Sequence, residues 1–171
     1  MSSAVAGRCV RVVVIMMLGS LAGGSYAADE AKPPALPDTL AKVGLFAGLT
    51  DAERDSLKPA ATLRQGKAGE RIIEEGKLQG KMIVIMEGEA EIRVKGKLVV
   101  TLSGQSLVGE IEFLDTLPAS ADVILLRDTN LIELNNTALA GLMEKQPRLG
   151  YVLMREIARI ESRRLRASNP K

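Results

Sequence analysis

The residues best suited to binding chemistry lie in one stretch, residues 109–123, with the sequence GEIEFLDTLPASADV. Gly109 lets the backbone approach a ligand closely, because glycine carries no Cβ atom. A short helical turn after it would point free N–H groups at an anion. The carboxylate of Glu110 can accept hydrogen bonds from a ligand hydroxyl. We therefore predict a ligand-binding site in this stretch, with Gly109 and Glu110 at its start.

The carboxylates of this stretch leave several interpretations open. Glu110 could contact a ligand, or it could only cap the helical turn. Glu112 and Asp122 could be solvated residues at the rim, or they could give the pocket a negative charge that suits an amine, a cation or a neutral ligand. Together with Asp115 they could surround Ca²⁺. Because their spacing fits no known calcium loop, we predict no metal site.

The composition excludes several kinds of chemistry. The chain has no histidine, which removes the commonest general base and metal ligand. Its one cysteine is Cys9, so no intramolecular disulfide is possible. No potential nucleophile and general base have a sequence spacing that indicates a catalytic pair. We therefore expect no enzyme and no catalytic residues. With aromatic residues at 2%, the chain also lacks the stacking platforms of single-strand nucleic-acid binders.

The N-terminus has the pattern of an export signal. Arg8 and Arg11 precede a short apolar core, residues 12–18, and small residues lead to an A-x-A-like site at Ala27. We predict a signal peptide over residues 1–27 and hence an exported, periplasmic protein. The alternative is an uncleaved membrane anchor, since residues 12–28 carry no charge. Residues 28–37 (ADEAKPPALP) predict a Pro/Ala-rich linker.

Residues 61–134 form short apolar runs separated by glycines, a pattern that predicts strands. Because the site lies within this region, we expect strands to position it. Residues 82–86 (MIVIM) predict a fully buried strand, and residues 95–97 (KGK) predict a tight hairpin. Residues 123–126 and 131–134 predict a further pair of strands joined by a turn. This spacing predicts a small antiparallel barrel or jelly roll.

Helical patterns flank the strands. Near Asp38 the apolar residues Leu40, Val43, Leu45 and Phe46 would share one face. Thr50 and Glu53 form a capping-box pattern that predicts a short helix to about residue 60, with Leu57 facing inward.

Two more helical patterns follow the strands. Asn136 or Thr137 can cap a helix over residues 138–145, and Pro147 interrupts it before a longer helix over residues 149–166. The apolar stripe of that helix is either core or a dimer seam; it comprises Leu149, Val152, Leu153, Ile157 and Ile160. The basic residues near its end are a solvated face, or a contact for an acidic partner or anionic lipid; they are Arg155, Arg159, Arg163, Arg164 and Arg166.

The ordered pieces resemble the cyclic-nucleotide-binding domain of catabolite activators, cyclic-nucleotide-dependent kinases and gated channels. The resemblance covers residues 38–166, followed by a tail over residues 167–171, and includes the cassette at residues 109–123. It implies a mainly β fold with flanking helices: a double-stranded β-helix (jelly-roll) β-roll with N-terminal helices and a C-terminal amphipathic helix. The other matching pieces are residues 45–57, 68–76, 82–92 and 128–134.

The resemblance also implies roles within the cassette. Glu110 would bind a ribose 2′-hydroxyl, and Ser120 and Ala121 match the family's small residues that touch the cyclic phosphate. The ligand-binding residues that the resemblance implies are therefore Gly109, Glu110, Ile111, Glu112, Ser120 and Ala121. Ten residues after Gly109, where the family has a phosphate-binding arginine, this chain has Ala119. Loss of such a charge-assisted hydrogen bond, about 1.5–3 kcal/mol, weakens binding by roughly 10- to 100-fold.

Two further departures point the same way. Glu112 stands where the family has a small residue beside the phosphate, and Asp122 replaces the usual Thr or Ser. If Glu112 faces the pocket, repulsion of the phosphate weakens binding further. If it faces solvent, weak binding survives.

We therefore expect an exported, non-catalytic sensor-type module with weak or absent cAMP and cGMP binding and no cofactor. Its partner would be a small-molecule ligand or a protein. The alternative is a structural or assembly protein that uses the β-roll as a scaffold and the C-terminal helix for association, for example as a homodimer. Because about five residues follow that helix, we expect no DNA-binding domain.

Overall fold

The computed structural model describes residues 36–169, so the predicted signal peptide and most of the predicted linker lie outside the described residues. Helices come first, strands follow, and helices return at the end. The elements are α1 (Leu36–Ala41), a 3-10 turn (Gly44–Phe46), α2 (Asp51–Ser56), β1 (Ala61–Gly66), β2 (Arg71–Ile73), β3 (Lys81–Ile85), β4 (Glu89–Val94), β5 (Lys97–Ser103), β6 (Ser106–Val108), α3 (Glu110–Asp115), β7 (Asp122–Leu125), β8 (Thr129–Asn135), α4 (Asn136–Lys145) and α5 (Pro147–Ser168).

The described strands form two four-stranded antiparallel sheets. One has the order β1-β8-β3-β6 and the other the order β2-β7-β4-β5. Sequence neighbours often lie in different sheets, which is the arrangement of a jelly roll. The predicted fold, a mainly β roll with flanking helices and a long C-terminal helix, is confirmed.

One predicted pairing is wrong. β7 and β8 do not pair with each other, because β7 lies between β2 and β4 whereas β8 lies between β1 and β3. The connection between them turns from one sheet to the other at Asp128. This carboxylate accepts the backbone N–H of Ala68 at 2.9 Å and pairs with Lys67 at 2.7 Å. These contacts hold the chain against the β1–β2 corner, where Thr129 joins Gly66 in the other sheet.

The continuous apolar run of β3 serves two cores. Met82 and Val84 pack in a cluster that includes the helices, whereas Ile83 and Ile85 pack in a second cluster between the sheets. Both faces of the strand are therefore buried, which explains why its apolar residues do not alternate with polar ones. The tight hairpin after β4 is also present, with both Lys95 and Gly96 at positive φ.

The helix starts follow local sequence signals. Thr50 and Glu53 form both bonds of the predicted capping box at α2. A hydrogen bond from Arg148, assisted by the Thr50 backbone, lowers the pKa of Glu53 to about 2. This contact joins α2 to the start of α5. The cap of α4 is Asn135, which accepts the N–H of Ala138 at 2.8 Å; the predicted caps, Asn136 and Thr137, already lie inside the helix.

The predicted break at Pro147 is present, but the long helix α5 begins at Pro147 itself, two residues before the predicted start at residue 149. Its apolar stripe packs in the core, with Leu149, Val152, Leu153 and Ile157 buried and Ile160 partly buried. The stripe is therefore a core face and not a dimer seam. None of the helices among residues 36–169 is long and apolar enough to cross a membrane.

Candidate functional site

The cassette begins at a point where only glycine fits. Gly109 lies between β6 and α3 with a φ of 78°, a region that side-chain-bearing residues rarely adopt. A Cβ atom here would also lie 2.8 Å from the carbonyl oxygen of Lys81 and 2.9 Å from Cδ1 of Ile73. The backbone can therefore enter α3 directly against β3 only because this position carries no side chain.

A cavity of about 510 Å³ opens beside the cassette. Its walls come from strands β2, β4, β5, β6 and β7, from the cassette, and from the last turns of α5. All six sequence-predicted site residues lie on its wall: Gly109, Glu110, Ile111, Glu112, Ser120 and Ala121. The other lining residues are Ile73, Ile92, Val99, Val100, Leu102, Val108, Ala119, Val123, Arg164, Ala167 and Ser168.

Glu110 is the charged centre of the cavity wall. Glu110 is only 4% exposed, and its Oε1 accepts a hydrogen bond from Arg164 at 2.6 Å. Burial raises the pKa of Glu110 to about 7, although the guanidinium of Arg164 opposes the rise. The second oxygen, Oε2, is buried and has no hydrogen-bond partner among the described residues. Glu110 is therefore paired with Arg164 through one oxygen, and Glu161 shares the same guanidinium.

Glu112 has a structural role that the sequence did not suggest. It is 7% exposed, and its two oxygens accept the backbone N–H groups of Gln79 and Gly80, each at 2.7 Å. The interpretation of Glu112 as a solvated rim residue is therefore wrong: the residue lies on the cavity wall, and its carboxylate is held by backbone N–H groups. The β2–β3 loop folds over α3 with these two N–H groups pointing inward, and the carboxylate satisfies both.

Asp122, in contrast, is not among the residues that line the cavity. It accepts the N–H of Glu75 at 2.9 Å and lies 3.7 Å from the Arg71 guanidinium, and its side chain is largely buried. The two interpretations of Asp122, rim residue or pocket acid, are therefore wrong as well. The acids of the cassette contact different partners, and no group of three or more potential ligands that could hold a metal ion lies within residues 36–169.

Ala119 occupies the cavity wall at 9% exposure. Its backbone is fixed on both sides, because its N–H donates to Lys77 at 3.0 Å and its carbonyl accepts from Gly76 at 2.8 Å. The position is thus held firmly against the β2–β3 loop. Its side chain presents a methyl group to the cavity in place of a cation.

The functional residue that sequence reasoning missed is Arg164, which was grouped with the basic residues of a solvated or partner-binding face. Its guanidinium donates to Glu110, to Glu161 at 2.8 Å and to the carbonyl of Leu107. A signal was present: Arg164 follows Ile157 and Ile160 at helical spacing, so it continues the buried stripe. Helix α5 therefore places the guanidinium of Arg164 on the cavity wall.

Comparison with known proteins agrees with this geometry. A family model described as a cyclic nucleotide-binding domain matches residues 63–146. The chain is similar to a cAMP-dependent protein kinase regulatory subunit of Mycosarcoma maydis, with 30% identity over 128 residues, covering 66% of this chain and 24% of that protein. It is also similar to the Pycsar effector protein XpPycTIR of Xanthomonas perforans, with 31% identity over 112 residues, covering 63% and 36%.

The fold has matches among solved structures. A cyclic nucleotide-binding domain from Methylobacillus flagellatus KT superposes with a TM-score of 0.68 at 21% identity, covering 78% of each chain. The present chain spans only about a quarter to a third of the length of the two curated relatives.

The role of Glu112 gives a test of the loop contact. We expect Glu112→Ala to lower the free energy of unfolding by about 1–3 kcal/mol, because two buried N–H groups lose their acceptor. Denaturant unfolding of the two proteins measures the difference. Glu144→Ala, which removes an exposed carboxylate on α4, is the matched control and should change stability by less than about 0.5 kcal/mol. Equal stability of the two variants would contradict the assignment.

Proposed function

Because residues 63–146 belong to the cyclic nucleotide-binding domain family, we propose that this protein is an exported, non-catalytic ligand-binding module in which cAMP and cGMP bind weakly or not at all. The observation that carries the proposal is Ala119, a methyl group on the cavity wall at the position of the phosphate-binding arginine. The similarity to a kinase regulatory subunit supports a regulatory role rather than a catalytic one.

A cyclic phosphate in this cavity would lack a free counter-charge. Among the lining residues the only cation is Arg164, and three acceptors already engage it: Glu110, Glu161 and the carbonyl of Leu107. A phosphate that recruited Arg164 would leave Glu110 buried without its partner, which is strongly unfavourable. Weak binding therefore follows from the missing arginine itself. Glu112 contributes little, since its carboxylate is held by the β2–β3 loop.

Restoring the cation tests this proposal. We expect calorimetry of the isolated protein to show no cAMP or cGMP binding tighter than about 100 μM, the value for a micromolar site weakened 100-fold. Ala119→Arg should strengthen cAMP binding by roughly 10- to 100-fold, because it adds a charge-assisted contact to the phosphate.

The matched control is Leu117→Arg, which adds the same charge at an exposed position outside the cavity. It should leave cAMP affinity unchanged. Micromolar cAMP binding by the unmodified protein would rule out the proposed weakness. An equal gain in both arginine variants would show that the effect comes from overall charge and not from an arginine at position 119.

Export rests on the sequence pattern of residues 1–27. We expect the intact mass of protein recovered from the periplasmic fraction of the expressing bacterium to lack these residues. Ala27→Leu, which replaces the small residue before the predicted cleavage point, should retain them. A full-length mass for the unmodified protein would instead support the anchored alternative.

A second candidate function, assembly through the C-terminal helix, is favoured by one observation. The outer face of α5 exposes Tyr151, Met154 and Leu165, with Tyr151 and Leu165 each 65% exposed. Their spacing places them along one side of the helix, opposite the core stripe. The guanidinium of Arg155 lies 5.5 Å from the Tyr151 ring.

Light scattering tests the assembly candidate. If this face forms a dimer, the protein should have twice its monomer mass, and Tyr151→Glu with Leu165→Glu should return it to a monomer. Leu78→Glu, at an equally exposed site on the β2–β3 loop, is the control. Truncating α5 is unsuitable, because its inner stripe belongs to the core. A monomer in every variant would exclude this function.

A further inference from the structure

A second cavity, of about 690 Å³, lies between α3, α4 and the β2–β3 loop, and we name it the α3–α4 groove. Its volume is in the range of small-molecule sites. Among the described residues, only Glu112 lines both this groove and the cassette cavity, so the two are separate sites. The wall of the groove includes Leu78, Glu112, Phe113, Asn136, Gly141 and Glu144.

Gly141 leaves open space in the wall of this groove. It lies in the interior of α4, where glycine is less stable than alanine because its backbone loses more freedom on folding. Packing does not require a glycine here, since a Cβ atom would meet no heavy atom of the described residues within 4 Å. At Gly150 of α5, by contrast, a Cβ atom would lie 3.1 Å from that of Met143. Helix α4 therefore contains a destabilising residue that keeps the groove open.

The groove has negative charge without a counter-charge. Among the described residues its wall contains two carboxylates and no lysine or arginine. Glu112 is buried and accepts two backbone N–H groups, but no cation within residues 36–169 pairs with it. Glu144 is exposed and forms no ion pair with any described residue. Because buried charges are normally paired, this arrangement favours a ligand that supplies a cation.

The groove also has a free acceptor and apolar side chains. Oδ1 of Asn136 is buried and accepts no hydrogen bond from the described residues. The terminal torsion of an amide side chain is broad, so this oxygen can turn towards a donor in the groove. Leu78 is 66% exposed, and Phe113 is partly buried. These apolar neighbours favour an organic cation over a hard metal ion, which would need several oxygen ligands.

We propose that the α3–α4 groove binds an ammonium or guanidinium group carried on an apolar stem. The two carboxylates attract the cation, Asn136 accepts one of its N–H groups, and Leu78 and Phe113 contact the stem. The open space at Gly141 admits the ligand. A free alkylamine has this chemistry, and so does the lysine or arginine side chain of a partner protein. The inference concerns a site outside the cassette cavity and goes beyond the proposed function.

Three probes with the same six-carbon stem test the charge requirement: n-hexylammonium, n-hexanol and hexanoate. Each is titrated into the protein at pH 7 and low salt, and binding is followed by NMR through the amide shifts of Gly80, Thr137 and Gly141, which line the groove. We expect n-hexylammonium to bind about fivefold tighter than n-hexanol, because it pairs with a carboxylate. Hexanoate should bind at least about tenfold more weakly than n-hexylammonium, because both carboxylates repel it. Equal or tighter binding of n-hexanol or hexanoate would overturn the proposal.

Glu144→Gln tests the exposed carboxylate. It should weaken n-hexylammonium binding about fivefold and leave n-hexanol binding unchanged, because the variant loses only a charge. The matched control is Glu87→Gln, which removes an exposed carboxylate outside the groove and should keep the affinity of the unmodified protein. An equal loss in the two variants would show an effect of overall charge and contradict the assignment.

Gly141→Leu tests the open space. A leucine side chain would fill the groove and should abolish the saturable amide shifts, while the melting temperature stays the same or rises because leucine favours a helix interior. Gly141→Ala, which gives a similar gain in helix stability with little loss of volume, is the control and should still bind. A folded Gly141→Leu protein that binds n-hexylammonium normally would overturn the site. If that variant does not fold, Glu144→Gln decides the result.

A last comparison distinguishes the two sources of the cation. n-Butylammonium and the blocked peptide acetyl-Ala-Lys-Ala-amide have the same ammonium group on the same four-carbon stem. Tighter binding of the peptide would support a partner's side chain, and tighter binding of the amine would support a free amine. Absence of saturable shifts with all the cationic probes would overturn the proposal. The cAMP titrations concern the cassette cavity, so this failure would leave the proposed function standing, and micromolar cAMP binding would leave the groove standing.

Discussion

The ion pair between Glu110 and Arg164 is the contact on which the site depends. It joins the first residue of α3 to the penultimate turn of α5, and Arg164 also binds the carbonyl of Leu107 in the edge strand β6. A single guanidinium therefore links the cassette, a strand edge and the C-terminal helix around one cavity. A ligand that engages Glu110 therefore meets a carboxylate that is already bound to α5.

Other acidic residues of the cassette accept hydrogen bonds from backbone N–H groups around this ion pair. Glu112 satisfies two N–H groups of the β2–β3 loop, and Asp122 satisfies the N–H of Glu75. Ala119 binds the same loop through its own N–H and carbonyl. Loop and cassette thus form one hydrogen-bonded unit around the cavity. Residues that seem in the sequence only to make the pocket acidic in fact accept hydrogen bonds from the backbone around it.

The sequence predicted what local signals encode. The capping box at Thr50, the break at Pro147 and the glycine-led cassette depend on neighbouring residues, and the structure contains all three. The partners of Glu112, Asp122 and Arg164 lie 32, 47 and 54 residues away in the chain, so spacing could not identify them. The separation of β7 and β8 into two sheets depends likewise on long-range contacts of Asp128.

The energetics of the ion pair help to distinguish a binding module from a scaffold. Burial raises the pKa of Glu110, so its ionised form is less stable in the fold than in water, even beside Arg164. Well-packed apolar residues often stabilise a protein as well as a buried ion pair does, or better. A roll used only as a scaffold would gain from such a replacement, and it would have no use for an acceptor without a donor at Oε2. A buried carboxylate with an incompletely bonded side chain, set beside a guanidinium in the wall of an aliphatic cavity, is instead the arrangement expected of a binding site.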